Sequence, residues 1–84
     1  MPVIDAIWDL PDDPDGNVQH IAEHGLTPID VEHVLNNPDR GISSRSSGRP
    51  LVHGYTPSGD YIVVVFEEID VGSVYPVTAY PVEE

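Results

Sequence analysis

The 84-residue sequence contains no cysteine and no lysine. Without cysteine, the chain forms no disulfide bond and has no thiolate to act as a nucleophile, a metal ligand or a redox sensor. Its apolar runs are far shorter than the roughly 20 residues of a membrane-spanning helix, and its first residues lack the basic flank of a secretory signal. The sequence therefore predicts a cytoplasmic protein without membrane association.

Positive charge is also scarce. Three arginines are the only basic residues beside four histidines, against 15 aspartates and glutamates, and the formal net charge is −12. A field of this sign repels phosphate backbones, so nucleic-acid binding is disfavoured unless the arginines cluster. A basic protein is the easier electrostatic partner, although a role in solubility alone also accounts for such a composition.

The length allows one hydrophobic core and therefore a single domain, residues 1–84. Two short amphipathic helices are predicted in its first half. In the first, Asp15 or Asn17 is expected to cap the free backbone N–H groups, and Gly25 to end the helix in a left-handed conformation. The apolar stripe of this helix consists of Val18, Ile21 and Ala22.

The second helix has the clearest start signal. Thr27 stands at the N-cap, Pro28 at the first helical position and Asp30 three residues after the cap. The helix should end within residues 36–38, because the residue before a proline avoids helical geometry. Its predicted buried face consists of Val31, Val34 and Leu35.

Five segments rich in β-branched and aromatic residues are predicted to be strands. They are Ile4–Trp8, Gly41–Arg45, Arg49–Tyr55, Tyr61–Phe66 and Val74–Tyr80. The fourth is apolar throughout, which favours burial on both faces, and Pro76 and Pro81 favour an edge or an irregular side for the last. The expected class is α+β with the order β-α-α-β-β-β-β: two short helices on a mainly antiparallel sheet whose last four strands form a meander.

The arginines are one candidate site. Arg45 and Arg49 flank a predicted three-residue hairpin loop, residues 46–48, which would set them roughly opposite each other, with Arg40 just upstream. Guanidinium groups suit phosphate or carboxylate recognition. The alternative is that these arginines pair with surplus surface carboxylates, which are common contacts of little energetic weight.

The histidines offer two further candidates. His20 and His24 are four residues apart, the spacing of two zinc ligands on a helix, but the sequence assigns no third ligand, and surface histidines are the favoured interpretation. No metal or cofactor is therefore expected. His53 and Tyr55 are two residues apart on a strand and would share one sheet face, where histidine can act as a general acid or base in RNA cleavage. Tyr80 on the last strand adds a phenol.

Several short motifs extend over nearly the whole chain. They are Trp8-Asp9, Asn17, His24-Gly25-Leu26-Thr27, the hairpin Ser43–Gly54 with Gly48-Arg49-Pro50-Leu51-Val52, and the last strand Val74–Tyr80. With these motifs the chain resembles the BrnT-like ribonuclease toxins, which are related in fold to the RelE group of toxin–antitoxin systems. The resemblance implies two helices on a curved antiparallel sheet, endoribonuclease activity on messenger RNA and neutralisation by a DNA-binding antitoxin.

The chain also departs from the pattern of those toxins, which are usually basic and continue into a basic C-terminal helix. Prolines and aspartates follow the Trp8-Asp9 pair in place of a lysine-containing stretch, and Tyr80 stands where an arginine is expected. Loss of positive charge lowers both phosphate affinity and transition-state stabilisation.

Two functions from different classes follow. In the first, the chain is a divergent toxin that cleaves RNA at one sheet face. Its catalytic residues would be His53, Arg45, Arg49 and Tyr80, and its RNA-binding residues Arg40 and Tyr55. In the second, the same scaffold is a non-enzymatic acidic module that binds an antitoxin or another basic protein, pairs through a strand edge, or forms a homodimer through its apolar sheet face.

Overall fold

The computed structural model describes residues 4–39, 42–46 and 49–82. It confirms the α+β class and the predicted order of elements. The helices are α1 (Asn17–Ala22) and α2 (Pro28–Asn36). The strands are β1 (Asp5–Ala6), β2 (Ile42–Ser46), β3 (Arg49–Tyr55), β4 (Tyr61–Asp70) and β5 (Ser73–Pro81).

The strands form one sheet in the order β1-β5-β4-β3-β2. The last four strands are the predicted antiparallel meander, and β1 adds a parallel pairing with the start of β5. This first strand is shorter than predicted, because the chain leaves the sheet soon after Ala6. The backbone N–H of Ile7 still bonds Val74, but that of Asp9 donates to the side chain of Asn17 instead of to β5.

The start of α2 is the predicted capping box. Thr27 Oγ1 accepts a hydrogen bond from the Asp30 backbone N–H at 3.3 Å, and Asp30 Oδ2 accepts one from the Thr27 backbone N–H at 3.0 Å. Such a cap stabilises a helix by about 1 kcal/mol. Both bonds are local in sequence, and the sequence pattern therefore identified the start of α2 correctly.

The start of α1 corrects the sequence prediction. Its N-cap is Gly16, and no side chain caps it. The side chain of Asn17 is committed to other elements of the fold, and the side chain of Asp15 is exposed. Ala22 is exposed as well, so the buried face of α1 is formed by Asn17 and Ile21.

The main core lies between the helices and one face of the sheet. Gly54 of β3 brings α2 close to the sheet, since a Cβ atom at this position would lie 2.9 Å from Val34 Cγ1. The buried residues of this core are Ile21, Leu26, Val31, Val34, Leu35, Val52, Ile62, Val64, Phe66, Val74 and Ala79.

The other sheet face, turned away from the helices, is called the distal face here. By strand alternation it carries the odd-numbered residues of β3 and of β4 up to position 67, together with Tyr80 of β5. Leu51, Val63 and Val65 are buried there in a second, small cluster. The five residues 62–66 are all buried, which confirms that this part of β4 is covered on both faces.

The hairpin register differs from the prediction in one respect. Ser46 pairs with Arg49 and therefore belongs to β2, and Arg45 pairs with Pro50. The two arginine positions are consequently offset by one residue and are not opposite each other, because the connection is one residue shorter than predicted.

The last strand has the predicted irregular side. Its register with β4 shifts next to Pro76, where Phe66 pairs with Pro76 but Val65 pairs with Thr78. Among the residues that the structure describes, only Ser73 and Val74 of β5 pair with β1. Along residues 4–39, 42–46 and 49–82, no helix is long and apolar enough to cross a membrane.

Candidate active site on the distal sheet face

His53 and Tyr80 occupy one row across three strands of the distal face. His53 pairs with Val63 of β4, and Val63 pairs with Tyr80 of β5. Two strand spacings put about 10 Å between the Cα atoms of His53 and Tyr80. A phosphodiester bound between these two positions is within reach of both side chains. The floor between them is apolar, because Val63 is buried.

The imidazole of His53 is held by an aromatic neighbour. Its ring is stacked on that of Tyr61, with 5.8 Å between the centroids and 16° between the planes. Tyr55 packs against Tyr61 in turn, with 4.7 Å between the ring centroids. These three side chains form the aromatic cluster of the site, as the alternation of His53 and Tyr55 along one strand predicted.

Asp39 connects this cluster to the end of α2. The hydroxyl of Tyr61 donates to Asp39 Oδ2 at 3.3 Å, and the backbone N–H of Asp39 donates to the His53 carbonyl at 2.9 Å. Asp39 thereby contacts both the strand that carries His53 and the ring that stacks on it. Sequence reasoning missed this residue, because nothing local distinguishes it from the other surface carboxylates.

Arg49 lies on the same face but farther along β3. Four residues separate it from His53, which corresponds to about 13 Å along the strand. Its Nε donates to Glu67 Oε1 at 2.9 Å, and the two side chains are 42% and 46% exposed. An exposed pair of this kind contributes little stability, so exchange of Glu67 for another anion costs little. Arg40 and the side chain of Arg45 lie outside the described residues.

Tyr80 also contacts the turn that follows α1. Its ring centroid is 6.2 Å from that of His24, and His24 is 5.9 Å from His20 in an edge-to-face arrangement. His20 and His24 thus lie close together, but they are not on one helix as predicted, because α1 ends at Ala22 and His24 lies in the turn that follows it. The described part of the chain contains no group of three or more side chains able to hold a metal ion.

A polar network beside β5 fixes the position of α1. The side chain of Asn17 accepts from the Asp9 N–H at 2.9 Å and donates to the carbonyls of Ile7 and Pro76, each at 3.0 Å. Asn17 is only 3% exposed, so these three bonds satisfy a buried amide. The network joins β1, α1 and β5, and it thereby positions His24 next to Tyr80.

Asp9 is the second centre of this network. Its Oδ2 accepts from the hydroxyl of Tyr75 at 2.5 Å and from the backbone N–H of Asn17 at 3.0 Å. The bond from Tyr75, with that from Asn17, lowers the pKa of the Asp9 carboxyl, because both stabilise its ionised form. The same contact raises the pKa of the Tyr75 phenol. A cleft of about 350 Å³ opens beside Tyr75 and His20.

No family model, no curated protein and no solved structure matches this chain. Its function is therefore inferred from the positions of its own side chains. On the distal face, strand pairing sets His53 and Tyr80 in one row across the buried Val63. The His53 ring is stacked on Tyr61, and the Tyr80 ring lies beside His24 at the edge of the sheet.

Proposed function

We propose that this protein is a divergent toxin-type endoribonuclease of the BrnT/RelE kind, which cleaves single-stranded RNA on its distal face. The observation that supports this most strongly is the cross-strand row of His53 and Tyr80 on either side of Val63. The β-α-α-β-β-β-β order and the antiparallel meander are also those that the resemblance implies.

In the proposed reaction, His53 takes the proton of a ribose 2′-hydroxyl. The 2′-oxygen then forms a bond to phosphorus, and the bond from phosphorus to the 5′-oxygen breaks. Tyr80 donates the proton that the departing 5′-oxygen requires, and the products are a 2′,3′-cyclic phosphate and a 5′-hydroxyl. Positioned acid–base groups of this type accelerate a reaction by about 10²–10⁴-fold each.

Apart from Asp39 at the aromatic cluster and Glu67 at Arg49, the strands of this face carry few acidic residues, which makes an RNA contact feasible despite the net charge. Between Arg49 and Phe66 the only acidic residue is Asp60, which lies in a turn, and the segment 71–82 contains none. The carboxylates of β4 gather at its far end, where Glu67 already holds Arg49. An RNA phosphate can therefore replace Glu67 on Arg49, and guanidinium groups bind phosphate in a bidentate manner.

Two substitutions test the proposal in an assay with a fluorescent single-stranded RNA at low ionic strength, where phosphate contacts are strongest. His53→Ala and Tyr80→Phe are each expected to lower the cleavage rate by about 100-fold or more. His33→Ala is the matched control, because His33 lies on α2, away from the distal face, and this variant should cleave at the parental rate.

Equal cleavage by the parent, His53→Ala and Tyr80→Phe would show that the distal face is not the active site. A purified parent protein that leaves the RNA intact under these conditions would contradict the proposed reaction itself. Circular dichroism of each variant checks that the fold is retained. We expect it to be retained in Tyr80→Phe, because Tyr80 is partly exposed and loses only one oxygen atom.

A further inference from the structure

A second surface lies on the other side of the sheet, at the end of α2. It is an apolar groove of about 480 Å³ between this helix end and the turn that joins β4 to β5. Its floor consists of the core residues Leu35, Val52, Phe66 and Val74, and its walls include Pro38 and Val71. This volume lies in the range of sites that accommodate apolar groups of a ligand or partner.

Val71 is the feature that distinguishes this groove from an ordinary surface depression. Its side chain is 100% exposed at the tip of the β4–β5 turn, and the nearby Ile69 is 56% exposed. In this turn, Asp70 Oδ1 accepts from the Val71 N–H at 2.7 Å and Gly72 has φ +81°. The turn presents an aliphatic side chain to solvent beside an apolar floor.

Two carboxylates lie at one side of this apolar surface. Glu68 and Asp70 of β4 line the groove and are exposed. Anionic rims of this kind steer cationic partners toward an apolar centre and discriminate against anionic ones.

We propose that this groove binds a segment of a partner protein in which apolar side chains are flanked by lysine or arginine. The apolar side chains would enter the groove against Val71 and Pro38, and the basic ones would pair with Glu68 and Asp70. Interfaces commonly combine a buried apolar anchor with a charged rim in this way. The site does not depend on RNA cleavage, because groove and distal face lie on opposite sides of the sheet.

The proposal can be tested with a short fluorescent peptide that has two leucines four residues apart and lysines at the other positions. Fluorescence anisotropy with the full chain should show saturable binding, in the micromolar to millimolar range typical of short peptides, that weakens as salt is added. A peptide of the same composition with the leucines replaced by serine reports binding through charge alone, and it is expected to bind at least about tenfold more weakly.

Two variants locate the binding site. Val71→Asp should weaken binding about tenfold or more, since it removes an apolar side chain from the wall of the groove and places a carboxylate beside its apolar floor. Glu68→Gln should weaken it a few-fold and reduce its salt dependence. The matched controls are Leu10→Asp, at an apolar side chain that is 73% exposed in the N-terminal loop, and Glu23→Gln at the end of α1. Both controls should bind as the parent does.

Several results would overturn the proposal. They are equal affinity of Val71→Asp and the parent, equal affinity of the leucine and serine peptides, and no binding of the leucine peptide at about 1 mM. Self-association of the parent that Val71→Asp abolishes, measured by sedimentation, would instead assign the groove to a second copy of the chain. Because Val71 is fully exposed, its substitution leaves the core intact and the comparison remains interpretable.

Discussion

Replacement of Asn17 by alanine tests the network that fixes α1 against the sheet. The substitution removes three side-chain hydrogen bonds, to the Asp9 N–H and to the carbonyls of Ile7 and Pro76. Each bond contributes about 0.5–1.5 kcal/mol net, and the Pro76 carbonyl, whose bond is buried, loses its partner without gaining water. Because Asn17 is 3% exposed, we expect Asn17→Ala to lower the free energy of unfolding by about 2–4 kcal/mol.

This loss is a large fraction of the total stability of a chain of 84 residues, which we expect to be about 4–13 kcal/mol. Urea unfolding followed by circular dichroism measures it as a lower midpoint at unchanged slope. The matched control is Asn37→Ala, because the exposed Asn37 Nδ2 makes a single bond, to the His33 carbonyl at 3.0 Å. A loss below about 1 kcal/mol is expected for this control. Equal midpoints for Asn17→Ala and Asn37→Ala would show that the three bonds of Asn17 stabilise the fold no more than the single bond of Asn37 does.

Two further substitutions test the packing and the electrostatics. Gly54→Ala places a Cβ atom 2.9 Å from Val34 Cγ1 and should lower the free energy of unfolding by about 1–3 kcal/mol. In a double-mutant cycle, Gly54→Ala should cost less in a chain that also carries Val34→Ala, because the clashing methyl group is then absent. Tyr75→Phe should return the lowered pKa of Asp9 toward 3.8. The parent then loses a contribution to stability as the pH falls through the pKa of folded Asp9, and another as it rises through that of folded Tyr75, above 10.0. In thermal unfolding measured across pH, Tyr75→Phe should lack the loss at high pH and show a smaller loss at low pH, since the Asn17 N–H still bonds Asp9. An unchanged pH dependence would contradict the assigned bond.

Local signals identified the elements whose stabilising contacts are local. The capping box of α2 needs only Thr27 and Asp30, and the central strand follows from an uninterrupted apolar run. The turns around Gly59 and Gly72, which both have positive φ, separate the strands where the sequence placed them. The meander therefore followed from the spacing of strands and turns.

The remaining features depend on contacts between distant residues. Asn17 fits an N-cap by composition, but its amide bonds partners up to 59 residues away, which no local pattern encodes. The offset between Arg45 and Arg49 depends on whether Ser46 pairs, a difference of one residue in a hairpin loop.

The candidate site could be predicted only in part, because some of its contacts also join residues that are distant in the sequence. Strand alternation placed His53 and Tyr55 on one face from the sequence alone. The pairing of Tyr80 with the same row, and the contact between Asp39 and Tyr61, required the register of β4 with its neighbours.

We propose that RNA binds on the distal face at the row of His53 and Tyr80. The most direct measurement is a titration of the ¹⁵N-labelled protein, followed by NMR, with a single-stranded RNA whose 2′-hydroxyls are methylated and which therefore resists cleavage. We expect the largest shifts at His53, Tyr80 and Arg49, with the amides of α2 unchanged. Shifts confined to α1 and α2, or an unchanged spectrum at about 1 mM RNA, would contradict the account.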